Sequence, residues 1–165
     1  MLNFSIWLLP ESRFELLLNS IIKKTTNYFS CSPFDAHCTL ASGVNQPLAK
    51  TKGVLNSYKT KAKLIRCDLI GLVAGESPWK SFYISIKNNS EISRIQNYIS
   101  EKLLSGQNYD FDPHISLVYG RFDEIDLRNN IKFSSIPKEV IFDKIAIVDT
   151  SRSVKDWTIV YETNI

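Results

Sequence analysis

The chain contains two histidines, and both sit in the same seven-residue frame. Phe34-Asp35-Ala36-His37-Cys38-Thr39-Leu40 and Phe111-Asp112-Pro113-His114-Ile115-Ser116-Leu117 share Phe, Asp, His and Leu, with a hydroxyl two residues past each histidine. A chance match of Phe, Asp and Leu around both histidines is on the order of one in a few thousand. Two imidazoles suit a reaction that takes one proton from a nucleophile and gives another to a leaving group. With an ordinary pKa near 6.5, each can exchange a proton around neutral pH. In an extended strand, residues i and i+2 face the same way, so His37 projects with Thr39 and His114 with Ser116. Hydroxyl donors suit the charged oxygens of a phosphoryl group. The pattern therefore points to proton transfer at a phosphate held between two strands.

Other readings attach to the same residues. A single histidine on a strand is most often packed or solvated, but the repeated frame argues against that for the pair. Asp35 and Asp112 would complete a His2Asp2 metal set; catalytic metals usually draw on less symmetric spacings, so no metal is assigned. The sequence does not fix which imidazole is the base. Ser116 and Tyr119, on or just beyond the strand of His114, incline that role to His114.

The motifs lie 77 residues apart in a chain of 165, so each half must bring one strand to a common site. Leu2 to Leu9 reads as a strand ended by Pro10. Phe14, Leu17, Leu18, Ile21 and Ile22 place a helix over Glu11 to Tyr28, with Ser12 as a candidate cap. Ala36 to Ala41 carries the first motif as a strand. Leu48 to Ala62 reads as a helix weakened by Gly53, and Leu64 to Val73 as a strand. A turn over Gly75-Glu76-Ser77-Pro78 precedes a strand from Trp79 to Lys87. Ile92, Ile95, Ile99 and Leu103 mark a helix over Ser90 to Leu104, stopped by Gly106. Ile115 to Tyr119 is the second motif strand, and Asp123 to Asn130 a short helix. Val140 to Asp149 and Trp157 to Glu162 close the chain as strands. Hairpin-like neighbours among these elements favour an antiparallel or mixed sheet over a doubly wound parallel one.

Bulk properties bound the function. Residues 1–165 read as one two-lobed domain, with 44% hydrophobic residues to build a core. A net charge of +3 fits a small anionic substrate or a nucleic-acid end and is too weak for a duplex binder. Cys31, Cys38 and Cys67 show no CxxC spacing, which points to a reducing, cytoplasmic setting without a disulfide framework or structural zinc. The first residues lack a basic segment before the apolar run, so no signal peptide is expected. No apolar run approaches the ~20 residues of a membrane span. The expectation is a monomer acting on a small substrate.

The two His-x-[Ser/Thr]-hydrophobic motifs in one small chain resemble the 2H phosphoesterase superfamily. The likeness is nearest to the eukaryote-type cyclic phosphodiesterases, which open nucleoside 2′,3′-cyclic phosphates and ADP-ribose 1″,2″-cyclic phosphate. Phe4-Ser5-Ile6-Trp7-Leu8-Leu9-Pro10 is similar to that family's opening strand. Pro113-His114-Ile115-Ser116-Leu117-Val118-Tyr119 is similar to its second motif, and Trp157 to Asn164 fits its last strand. The resemblance implies an α+β fold: bilobal, two antiparallel sheets facing a central cleft, helices outside. It implies His37 and His114 as catalytic residues, Thr39, Ser116 and Tyr119 around the phosphate, and no cofactor. Cys38 replaces the family's usual aliphatic residue, and Ala36 the proline before the first histidine.

Further residues carry a structural and a functional reading side by side. Trp7 reads as core or as cleft wall. Trp79 and Phe82 read as core or as a platform for a base. Arg121 could reach a substrate phosphate. Lys50, Lys52, Lys59, Lys61, Lys63 and Arg66 form a solvated face or a surface for RNA ends. The leading expectation is hydrolysis of a cyclic phosphate nucleotide. The alternatives are a phosphodiesterase on 2′-5′ or 3′-5′ oligonucleotide ends and a non-catalytic RNA-end binder.

Overall fold

A computed structural model of the chain describes residues 3–58, 64–75, 78–104 and 109–165. The elements follow in the order β1 (Phe4–Pro10), α1 (Ser12–Tyr28), β2 (Cys38–Val44), α2 (Leu48–Ser57), β3 (Ile65–Ala74), β4 (Phe82–Ile86), α3 (Ser90–Leu103), β5 (His114–Val118), α4 (Glu124–Asn130), β6 (Glu139–Asp149) and β7 (Thr158–Asn164). The sequence periodicities place these elements to within a few residues, except that α2 ends at Ser57 with Tyr58 extended, short of the expected Ala62. The differences are local. Glu11, not Ser12, precedes the first helical residue of α1, and it makes no side-chain cap hydrogen bond. Strand β2 begins at Cys38, so His37 stands just before it. Lys59, Lys61, Lys63, the Glu76-Ser77 part of the turn and Gly106 lie outside the described residues.

All strand pairs among the described residues are antiparallel, in the order β2-β1-β6-β3-β4-β5, with β7 also on β6. The 11-residue β6 is the spine. One edge takes β1, from Phe4↔Asp149 to Pro10↔Phe142. The other edge takes β7 beyond Lys144 and the first residues of β3, Ile65↔Phe142 to Asp68↔Glu139. Strand β3 then leaves β6 and pairs with β4 from Leu69↔Ile86 to Ala74↔Phe82. The two expected sheets are thus joined through β3 into one seven-stranded arrangement.

The halves repeat one unit. In each, two neighbouring antiparallel strands are connected by a helix: β1-α1-β2 and β4-α3-β5. The motif strands β2 and β5 are the ends of the order, and they lie against each other. The helices cross over: α1 packs chiefly on β5, and α3 on β2. Helix α1 buries Phe14, Leu18, Ile21, Ile22 and Thr25 at spacings of three and four. Leu17, by contrast, is exposed. Helix α3 buries Ile92, Ile95, Ile99 and Leu103, and the Asn89 side chain caps it by accepting from the Glu91 and Ile92 amides. Strand β1 is buried on both faces. Phe4, Ile6 and Leu8 enter the main core, while Trp7 and Leu9 form a smaller cluster with Ala146 and Val148 on the opposite face. No helix among the described residues is long and apolar enough to cross a membrane.

Phe82 corrects one expectation. It is 0% exposed and lies in the main core with Ile84 and Ile86, the other inward residues of β4. It therefore offers no platform to a base. Phe82→Ala is expected to cost about 3–5 kcal/mol of stability through the cavity it leaves. Chemical denaturation measures this; full stability with a raised KM would restore Phe82 to the substrate.

Candidate active site

A cleft of about 540 Å³ opens between the two halves, lined by residues that include Ser5, Trp7, His37, Thr39, Trp79, Lys80, Tyr109, His114, Tyr119, Thr150 and Trp157. Register explains the assembly. Trp7 pairs with Thr39 across β1 and β2, and Ser85 with His114 across β4 and β5. The cleft side of β1 continues through Ser5, whose hydroxyl meets that of Thr150 at 3.1 Å.

The repeated frame fixes both imidazoles in one way. His37 Nδ1 donates to the Asp35 carbonyl at 2.6 Å, and His114 Nδ1 donates to the Asp112 carbonyl at 2.7 Å. A carbonyl only accepts, so in the neutral ring Nδ1 carries the hydrogen and Nε2 keeps the lone pair. Each ring thus has one nitrogen anchored and one left for chemistry. The grip comes from the backbone oxygen of each aspartate. The Asp112 carboxylate instead pairs with Lys80, whose ammonium lies 4.7 Å from the Tyr83 ring centre.

The environments of the two rings differ. His37 is 4% exposed, stacked on Trp7 with ring centres 3.5 Å apart and planes 7° from parallel. The Phe34 and Trp157 rings meet it edge-on. Burial pushes its pKa down to about 4; the Asp35 carbonyl opposes this and the charge of His114 adds to it. His114 is more open and sits edge-on to Tyr83. Its pKa is also lowered, first by burial, with the Asp112 carbonyl raising it, Lys80 lowering it and the Asp112 charge raising it.

Tyr119 links the halves. Its hydroxyl is 3.5 Å from His37 Nε2, and the Ser116 side chain lies beside it. Burial lifts the phenol well above its usual range, so it stays a neutral donor. The sequence pairs Tyr119 with His114; the structure sets it against His37. Ser116 is 4% exposed and does not line the cleft, whereas Thr39 does. Arg121 is also displaced from the expected place: it borders a separate pocket with Gly75, Phe122 and Glu124.

Trp7 and Trp79 line the cleft with both histidines. Sequence reasoning missed Lys80, Tyr109, Thr150 and the ring of Trp157 as cleft residues. The unexplained aspartate in each frame was the available signal for Lys80, since a carboxylate beside an imidazole calls for a cation. Among the described residues, no group of three or more His, Cys, Asp or Glu side chains is placed to hold a metal.

The sequence model of a family described as cyclic phosphodiesterase-like protein matches residues 1–165. The chain belongs to the cyclic phosphodiesterase-like proteins. This family lies in the 2H phosphoesterase superfamily. No curated protein matches the chain. Among solved structures, this cyclic phosphodiesterase-like protein is similar to apo E. coli LigT, with 11% identity, a TM-score of 0.64, and 99% of this chain and 96% of LigT covered. For E. coli LigT complexed with ATP the values are 10%, 0.66, 99% and 97%. For TT0787 of Thermus thermophilus they are 14%, 0.63, 98% and 97%. At such identities the likeness is one of fold.

Proposed function

We propose that this protein hydrolyses a cyclic phosphate: a nucleoside 2′,3′-cyclic phosphate to the 2′-phosphate, or ADP-ribose 1″,2″-cyclic phosphate to ADP-ribose 1″-phosphate. The observation that carries this reading is the pair of imidazoles in one cleft, each anchored through Nδ1 with Nε2 left over. His37, buried and held neutral, is the general base; this reverses the inclination drawn from sequence. Its Nε2 takes a proton from water as the water oxygen attacks phosphorus in line. The bond from phosphorus to the 3′ oxygen breaks (to the 2″ oxygen in the ADP-ribose substrate), and His114 Nε2 protonates that departing oxygen. Thr39 and the neutral Tyr119 hydroxyl donate to the non-bridging oxygens as charge builds there. Ser116 acts as a positioning residue through Tyr119.

Other features of the molecule fit the same proposal. E. coli LigT is complexed in its crystals with ATP, 3′-AMP and NADP+, in line with a small nucleotide ligand. The three cysteines are free thiols, two of them buried, which suits a reducing, cytoplasmic setting for a monomer of one two-lobed domain. A second pocket of about 290 Å³ shares Trp7 and Trp157 with the cleft and carries Lys23 and Lys155, which favours oligonucleotide ends as the second reading. The described part of the basic stretch gives RNA less support: Arg66 is paired with Glu139, and Lys50 donates to Gln46.

A panel of 2′,3′-cyclic mononucleotides, ADP-ribose cyclic phosphate and 2′-5′ and 3′-5′ dinucleotides, with products identified by phosphorus NMR, tests the assignment. Turnover of the dinucleotides alone would reverse the two readings. Turnover is expected to survive exhaustive chelation, because acid, base and anion donors are all side chains of this chain. Complete loss restored by zinc or manganese would move the site to the metal class.

A further inference from the structure

The two frames reach one result by different means. In each, the aspartate carbonyl meets the Nδ1 of the histidine two residues on, at 2.6 Å for Asp35 and His37 and at 2.7 Å for Asp112 and His114. The backbone of the residue between them decides whether that contact closes. In the second frame this residue is Pro113. Its ring holds φ near about −65° and its nitrogen carries no hydrogen, so the path is set covalently and no donor needs a partner. In the first frame the same place holds Ala36. Alanine leaves φ free. Its N–H also needs an acceptor, because the residue is only 1% exposed.

The acceptor comes from α1. The Ala36 amide donates to the Asn19 side-chain oxygen at 2.7 Å. Asn19 stands in the middle of a 17-residue helix. Asparagine is a poor choice there, since its side chain competes for backbone hydrogen bonds and weakens a helix relative to alanine. The helix gives it no reason to be present; the bond to Ala36 does. Leu18 and Ile22 beside it are fully buried in the main core, so the amide projects from a fixed turn. The stack on Trp7 fixes the plane of the His37 ring. A stack is indifferent to a half-turn about the Cβ–Cγ bond, which exchanges Nδ1 for Cδ2 and Nε2 for Cε1. The Asp35 carbonyl chooses between the two, because only Nδ1 can donate to it.

We propose that Asn19 is a positioning residue for His37: its side-chain oxygen supplies by a hydrogen bond the constraint that Pro113 supplies covalently to His114. Holding the Ala36 amide aims the Asp35 carbonyl at Nδ1, which keeps the hydrogen there and turns Nε2 toward the phosphate. Asn19 lines the smaller pocket beside Phe34 and Asp35 rather than the cleft, so it acts only through His37. The inference rests on the role of His37 proposed above.

The test uses a reversal of sign. Asn19→Ala leaves the buried Ala36 N–H unpaired. Its kcat on adenosine 2′,3′-cyclic phosphate is expected to fall roughly ten- to hundred-fold with little change in KM, the usual result of misplacing a catalytic group. Ala36→Pro alone also loses activity, since proline Cδ takes the place of the amide hydrogen and collides with the Asn19 oxygen, 2.7 Å from the nitrogen. Together the two substitutions reproduce the second frame, so the double variant should exceed both single variants in kcat and come within about threefold of the intact protein. Nitrogen NMR of the imidazoles reads the cause with no substrate present. At alkaline pH, with both rings neutral, the intact protein should carry the hydrogen on Nδ1 of each. Asn19→Ala should move His37 alone toward the Nε2–H form, and the double variant should restore it. Additive losses in the double variant, or a His37 tautomer unmoved in folded Asn19→Ala, would overturn the proposal. If Asn19→Ala does not fold, the double variant decides by itself: the native tautomer supports the proposal and its loss rejects it. The tautomer readout stands even if no cyclic phosphate is hydrolysed, which separates this failure from that of the function.

Discussion

His37→Ala and His114→Ala are each expected to lower kcat about 10²–10⁴-fold on the cyclic phosphate, the usual contribution of a general acid or base. Binding of substrate should change far less, because the imidazoles act on protons in flight. The two losses should not multiply in the double variant, since either removal disables the same concerted transfer. Thr39→Ala differs in kind: its hydroxyl meets the phosphate in the ground state too, so KM rises with the loss of kcat. Steady-state kinetics with a product-binding titration separates the patterns. Near-normal turnover by His37→Ala on every substrate tested would end the two-histidine mechanism.

The second large effect is on pH. In the proposed mechanism the productive form has His37 neutral and His114 charged. Burial holds His37 down to about 4, and His114 is also lowered from 6.5. A bell for kcat/KM therefore peaks on the acid side of neutrality and falls tenfold per unit beyond its alkaline limb. At pH 8.5 the loss is roughly hundred-fold or more. Lys80→Met removes a cation that lowers His114, so the alkaline limb moves to higher pH. His37→Ala loses the acid limb. A flat profile from acid to alkaline pH, with chemistry rate-limiting, would contradict these roles. The fold responds with the opposite sign. His37 binds its proton near 6.5 when unfolded and near 4 when folded, so its share of stability is whole above 6.5 and is lost as pH falls toward 4. Activity and stability thus favour different sides of the same window.

Much of this molecule is legible in the sequence because its elements obey simple periods. Phe82, Ile84 and Ile86 announce the inward face of β4, and the same alternation already argues that Phe82 belongs to the core. The spacing of Ile92, Ile95, Ile99 and Leu103 alone draws α3 and its buried stripe. The site is legible only where it repeats. The frame exposes both histidines but hides the reason for its aspartates, because the backbone oxygen that grips each ring exists in every residue. The cleft wall is assembled by strand pairing between distant residues. Ser5 meets Thr150, and Tyr119 meets His37, and no local pattern marks either. Trp157 reads as the first residue of a strand. A short 3-10 turn, Val154–Asp156, instead sets its ring against Trp7.

The crossed helices make each half the custodian of the other's chemistry. The apolar back of β5, which carries His114, is covered chiefly by α1, while β2, which follows His37, is covered by α3. Fraying of one helix therefore unseats the opposite histidine before its own. Either helix, by loosening, therefore costs the cleft one histidine while the half it belongs to still holds the other in place.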